Sequence, residues 1–341
     1  MKNYCIFELA ALAALTFASC SSESVEDFGG NQASQQVAIG FDGYLGRSAV
    51  DTRGTESTTT TIQGENVGFG VFGNYTASGS GVSYGSGLFD NQQVTYSSTG
   101  KKWIYDPVKY WPTAGHIDFL AYAPFDKDQE LKNNKNLVFT VNSDVTKQID
   151  LLWDHAENKT KPSNSEKVNF TFKHALAKIG YSVKSKADYS PATITVKSIK
   201  LVGDLVDENT KAFYTKGTID LSKDNNDAND LWTNTDGPKQ NFTLLSSDQT
   251  LSTEYKPENY LFVIPQDFSS TTTDQLYVVV EYTVKTGNSV ITNKVHKKIT
   301  KDFKQGKAYM INLIIGLTPI EFEADVNLWP NAENIGDIEL N

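Results

Sequence analysis

The sequence predicts an all-β protein made of two antiparallel β-sandwich domains in tandem. Three observations carry that prediction. The 341 residues include 18 Phe, 16 Tyr and 5 Trp alongside abundant Thr and Val, a composition suited to the pleated, half-buried surface of strands. Many short segments alternate apolar and polar residues with period two. No long stretch keeps apolar residues at i, i+3, i+4 and i+7, so crossover helices are not expected and the strands pair antiparallel. The length fits two domains of ~100–200 residues each.

At the N-terminus, Lys2 opens a short basic region, and LAALAALTFA from Leu9 to Ala18 is an apolar run too short to span a bilayer. It ends in TFASC, which resembles the end of a bacterial lipoprotein signal occupying residues 1–19. In that reading signal peptidase II cuts before Cys20, whose new N-terminus is lipid-modified. An ordinary secretory signal cut elsewhere is the alternative. Cys5 and Cys20 are the two cysteines, so cleavage leaves at most one and no internal disulfide forms in the mature chain. Residues 20–36, with the polar and acidic SSESVEDF, read as a flexible tether.

VAIGFDGYL puts Val37, Ile39, Phe41 and Leu45 on one face and Asp42 on the other, predicting a first strand. GRSAVDTRGTEST follows it. Of the 31 Lys and Arg residues, only Arg47 and Arg53 are arginine, and both fall in this segment. Further strands are predicted at IDFLAYAP, LVFTVN, KVNFTFKHALAKIGYSV, TITVKSIKLVG, YLFVIP, LYVVVEYTV and KAYMINLIIGL. IEFEADVNLW alternates most cleanly, with Ile320, Phe322, Ala324, Val326 and Leu328 against Glu321, Glu323, Asp325 and Asn327. The polar run DHAENKTKPSNSEK lacks apolar periodicity and marks a domain boundary, giving an N-terminal domain over 37–160 and a C-terminal one over 161–341.

Several chemical motifs fail on context. GFGVFG, Gly68 to Gly73, has dinucleotide-loop spacing, but NYTASGSG follows it where a helix N-terminus must stand. Its glycines read instead as close packing within a strand. GVSYG places Ser83 in a Ser/Gly loop rather than on a strand–helix elbow. His116, His155, His174 and His296 have no metal-ligand spacing. DNNDAND departs from a calcium loop at Ala228, Asn229 and Thr235. A formal charge of −10 argues against nucleic acid as a partner. No enzyme and no cofactor is expected.

KYWPTAGHIDFLAYAPF, VNFTFKHALAKIGYSV, NYLFVIPQ, FKQGKAYMINLII and IEFEADVNLW occur in this order, and together they resemble the fimbrillin family, or type V pilins, in its Mfa-like branch. The resemblance implies two transthyretin-like β-sandwiches in series and a precursor that reaches the outer-membrane surface as a lipoprotein. It further implies that an Arg-specific trypsin-like protease removes the first strand, here within 37–53, at Arg53 or Arg47. Arg53 is preferred because it lies deeper in the Thr-rich segment. The implied partners are other pilin subunits in a surface fimbrium that mediates adhesion.

The donor expected to fill the vacated site is the C-terminal segment 320–341, chiefly Ile320, Phe322, Val326 and Leu328. The same strand also reads as a resident edge of the C-terminal domain. A competing reading is a monomeric surface lipoprotein that binds a host protein or glycan through exposed aromatics such as Trp232.

Overall fold

The computed structural model describes residues 36–45, 56–163, 166–207, 209–224, 231–233, 237–270, 274–317, 321–328, 332–333 and 337–338. Cys20, Arg47, Arg53 and Ile320 lie outside the described residues, as does the signal segment. The described residues are nearly all β. The one α-helix among them is α1, Thr59–Ile62, a single turn capped by Thr58, whose hydroxyl accepts the Thr61 N–H, and held down by buried Ile62.

Ten strands build the first two-thirds of the chain in order: β1 Phe41–Leu45, β2 Phe69–Thr76, β3 Phe89–Ser97, β4 Lys102–Ile104, β5 His116–Ala123, β6 Asn136–Thr140, β7 Leu152–Lys159, β8 Val168–His174, β9 Ala177–Ser185 and β10 Thr193–Val202. Seven of them form one sheet in the order β1-β8-β7-β5-β2-β3-β4. The sheet curls until its two edges, β1 and β4, lie near one another. The enclosed core is dominated by rings: Phe41, Phe69, Phe89, Phe119, Phe170 and Phe172 are all fully buried.

β5 shows how a strand serves two cores. All eight of its residues are buried, with Ile117, Phe119, Ala121 and Ala123 in the aromatic core and Leu120 and Tyr122 on the opposite side in a second core. Both faces of this stretch are therefore covered, which explains the near-continuous apolar run in the sequence. β2 beside it carries the GFGVFG glycines. A Cβ on Gly70 would stand 2.3 Å from the Tyr122 ring, so the glycine is there for close packing, as the sequence implied.

The second core lies between two further sheets. One orders Phe242–Leu245, β10, Tyr277–Thr286 and Ser289–Lys298; the other orders Lys256–Val263, β9, Lys307–Ile315, Glu321–Leu328 and Ala332–Glu333. Ile194, Val196, Ile199 and Leu201 of β10 share this core with Ile179, Tyr181 and Val183 of β9, the interdigitation expected of facing sheets.

Three differences from the sequence reading stand out. Two pairs are parallel, β1 with β8 and β9 with Lys307–Ile315, although the rest are antiparallel. Those partners lie more than a hundred residues apart, so no hairpin turn dictates their direction. The boundary at residue 160 is not where the sheets divide. β7 runs to Lys159, and β8 beyond the polar segment pairs back onto it through Leu152↔His174 and Trp153↔Lys173. The first six residues of the polar run, Asp154 to Lys159, are the end of β7 itself, and the rest joins β7 to its antiparallel neighbour β8; the handover to the second set of sheets comes between β8 and β9. β6 also departs from the predicted N-terminal unit, pairing with Lys216–Asp220. From Val37 onward the chain forms one compact unit.

Candidate functional site

The first strand predicted from sequence is an edge strand whose inner face fills the centre of the aromatic core. Ile39 and Phe41 are each 1 % exposed and Leu45 is buried; Val37 packs against the same core but is only partly covered. The Phe41 ring centroid lies 5.3 Å from those of Phe89 and Tyr105, 5.6 Å from Phe119 and 6.0 Å from Phe170. These edge-on and stacked geometries add to the stabilisation from burial alone.

The backbone of this segment is held on two sides. β1 pairs parallel with β8 from Phe41↔Val168 to Leu45↔Phe172, and the Val168 N–H donates to the Gly40 carbonyl at 2.8 Å. Upstream, the Ile39 N–H donates to the Lys109 carbonyl at 2.8 Å and the Trp111 N–H to the Val37 carbonyl at 2.9 Å. The Tyr105 hydroxyl donates to the Ile39 carbonyl at 2.8 Å, and burial raises its phenol pKa, which keeps it a donor. At the far end the Leu45 N–H reaches Thr59 Oγ1 at 3.0 Å. Asp42 pairs with Lys167 at 3.6 Å on the solvent side, where such a contact contributes about 0–1 kcal/mol.

Gly43 was not singled out by the sequence reading, although it falls on the inward period. A Cβ there would meet the Phe69 ring at 3.0 Å and the Phe172 ring at 3.1 Å. The position is a notch between two rings.

At the C-terminal end of the arginine segment, just beyond Arg53, the chain is anchored by a separate buried polar cluster. Glu56 binds Lys178 Nζ at 2.7 Å, and that ammonium also sits 4.4 Å above the Tyr260 ring. The Ser57 N–H donates to Asp150 Oδ2 at 3.0 Å, Ser57 Oγ donates to the Asp150 carbonyl at 2.8 Å, and His174 Nδ1 meets Asp150 Oδ2 at 2.8 Å. Burial pushes the Asp150 carboxyl above the usual aspartate range against the pull of His174. Ser, His and Asp are the residue types of a nucleophilic triad, yet the serine hydroxyl bonds a carbonyl and all three side chains are buried. The arrangement holds the chain rather than attacking a substrate. No sequence signal pointed to it, because Ser57 and Asp150 are far apart in the chain.

Among the other predicted residues, Phe322, Val326 and Leu328 lie in the strand Glu321–Leu328, whose backbone pairs antiparallel with Lys307–Ile315 from Ile314↔Glu321 to Lys307↔Leu328. In the single chain this strand is resident in its own sheet. Trp232 is buried rather than exposed, its indole N–H donating to the Ala175 carbonyl at 2.7 Å, because the strand it belongs to folds over the second core. Ser83 sits in the loop between β2 and β3, its N–H donating to Asp118 Oδ2 at 2.8 Å. Among the described residues no group of three or more His, Cys, Asp or Glu is placed to hold a metal.

A fimbrillin-like family model matches residues 52–329, well over half of the chain. This chain belongs to the fimbrillin-like family. That family consists of fimbrial structural proteins rather than enzymes. The matched stretch of the fimbrillin-like chain starts inside the arginine segment, one residue before Arg53, and leaves β1 outside. Among solved structures it is similar to a Bacteroides uniformis protein assigned to cell adhesion, at 17% identity, covering 86% of this chain and 99% of that one with a TM-score of 0.47. It is also similar to the fimbrial anchor protein Mfa2 from Porphyromonas gingivalis, at 9% identity, 88% and 99% coverage and a TM-score of 0.35. The tip fimbrial protein Mfa3 from Porphyromonas gingivalis aligns at 8% identity over 77% of this chain and 99% of its own, with a TM-score of 0.39. No curated protein matches the chain.

Proposed function

We propose that this chain is a surface fimbrial subunit stored with its own β1 in place and activated when that strand is cut away. Cys20 anchors the precursor to the outer membrane by lipid. An Arg-specific trypsin-like protease then cuts at Arg53 or Arg47, and a strand from another subunit fills the vacated site, building an adhesive filament.

The observation that carries this reading is the position of Phe41: the central ring of a core, supplied by an edge strand that the arginine segment joins to the rest of the body. Burying the three large apolar side chains Ile39, Phe41 and Leu45 of the first segment is worth on the order of 5–9 kcal/mol. That is comparable with the whole stability of a domain, about 5–15 kcal/mol. A body without β1 would also expose the hydrogen-bonding edge of β8, and edge plus empty apolar groove is the template for strand addition. Because the inserted strand comes from a neighbour, each contact is head-to-tail and the assembly stays open. The cluster at Glu56 and Ser57 supports the scheme from the other side, since a cut at Arg53 leaves those anchors in the retained part.

The test is electron microscopy of intact cells carrying Arg47→Lys and Arg53→Lys together. The reading expects full-length, surface-labelled precursor without filaments. Filaments of normal length on those cells would refute cleavage at the arginines.

A further inference from the structure

One sheet of the second core gathers positive charge on its outer side. Residues 275–307 hold seven lysines against two acids, Glu281 and Asp302, while the chain as a whole carries −10. Strand pairing places part of that charge on one face. Val278, Val280 and Tyr282 of Tyr277–Thr286 lie in the second core, as do Ile199 and Leu201 of β10, and Val295 of Ser289–Lys298 packs against it. Alternation turns the residues between them outward.

Three cross-strand rows result. Lys200, Val279 and His296 form the middle row, Val202, Tyr277 and Lys298 the row on one side, and Ser198, Glu281 and Lys294 the row on the other. Lys200, Lys294 and His296 are exposed and Lys298 is half-buried. Val279 is buried although it belongs to neither core, and the Tyr277 and His296 rings meet edge-on at 6.4 Å, so the charges stand over a packed floor. None of the three lysines is in an ion pair among the described residues, whereas Lys197 and Lys304 nearby are paired with Asp248 and Asp302. Glu281 is the one carboxylate in the three rows.

The spacing of these cations limits what they fit. Residues two apart on a strand are separated by about 6.8 Å and neighbouring strands by about 4.8 Å, so Lys294 and Lys298 stand about 14 Å apart and Lys200 about 10 Å from their strand. That is too wide for one sulfate-sized anion and too sparse for duplex DNA, which carries a charge every ~1.7 Å. It suits a polymer with an anionic group on every sugar or every second sugar. Lysine is depleted from the cores of protein–protein interfaces, which argues against a folded protein as the partner. The negative remainder of the chain repels a polyanion elsewhere and confines it to this face.

We propose that this face binds an extended anionic polysaccharide, whose sulfates or carboxylates pair with Lys200, Lys294 and Lys298 above the Tyr277 and His296 rings. β1 is not part of this sheet, so the site is present before and after any cut at the arginines.

The test is retention of the folded mature chain on immobilised heparin and on polygalacturonate, against neutral dextran, over a salt series. The proposal expects retention on at least one polyanion, none on dextran, and a steep loss with salt. Lys200→Gln, Lys294→Gln and Lys298→Gln together should weaken binding about tenfold, the combined effect of three exposed charge contacts. Lys101→Gln, Lys102→Gln and Lys159→Gln together make the same change of net charge at exposed positions in or beside the first sheet, and should bind as wild type. Glu281→Gln takes the carboxylate off the face and should tighten binding about twofold, a gain that misfolding does not produce. Equal loss in the two triple variants, weakening by Glu281→Gln, or no retention of the wild-type chain overturns the face as a site. Tighter face-dependent binding to duplex DNA or to phosphatidylglycerol vesicles overturns polysaccharide as its occupant.

Discussion

β1 and the strand Ser289–Lys298 occupy the same kind of place, each at the end of a sheet's strand order, yet they differ in what they hold. Ile39 and Phe41 of the first segment are 1 % exposed, whereas Val290 and Ile291 of the second are 58 % and 62 % exposed. The second edge also carries Lys294, His296, Lys297 and Lys298, and lysines along an edge discourage a foreign strand from pairing there. An edge strand is replaceable for profit only when its inner face completes a core. By that criterion β1 is an edge strand that completes a core, whereas Ser289–Lys298 is an edge strand that does not.

Substitutions sharpen this contrast, and the largest effect belongs to the ring at its centre. Phe41→Ala should lower stability by about 3–5 kcal/mol through the cavity it leaves, read as a fall in the urea midpoint. Ile291→Ala should stay within about 0.5 kcal/mol. Equal effects would erase the distinction between the two edges. Glu56→Ala removes one partner of a buried ion pair and should cost about 3–5 kcal/mol. The same variant should let the end created at Arg53 fray, seen as lost amide-exchange protection around Ser57. Retained protection would show that the cluster is not the anchor.

Gly43→Leu follows at about 1–3 kcal/mol from overpacking against Phe69 and Phe172. A neutral outcome would mean that the Phe69 and Phe172 rings move aside freely. The smallest effect concerns pH. Burial raises the Asp150 carboxyl, so the folded chain holds that proton more firmly than the unfolded chain does. Its contribution to folding is greatest below about pH 4, the ordinary aspartate value, and is lost as pH rises through the raised folded value. Asp150→Asn should flatten the urea midpoint across that window, and an unchanged pH slope would contradict the assignment.

How far these features could be read in the sequence depends on how local their causes are. The alternation of Ile39, Phe41 and Leu45 is local, and the first strand is where it was expected. The all-β class follows from the same periodicity. Gly43 also lies on that face, but a glycine shows its meaning only against Phe69 and Phe172, which reach it through tertiary packing. The parallel direction of β1 on β8 has no local cause, since no turn joins them. DHAENKTKPSNSEK read as a boundary because the polar end of β7 and the connection after it together have the composition of a linker. Trp232 read as exposed because its neighbours are polar, while its burial comes from the second core and the Ala175 carbonyl. The cluster of Ser57, Asp150 and His174 had no signal at all in single-residue patterns.

The most direct measurement is limited digestion of the folded mature chain by an Arg-specific protease, followed by intact mass and size exclusion. The account predicts cutting confined to Arg47 and Arg53, a folded body beginning at Ser48 or Gly54, and conversion from monomer to oligomers. A chain that resists the protease, or that unfolds when cut, would contradict the claim that β1 is a releasable strand.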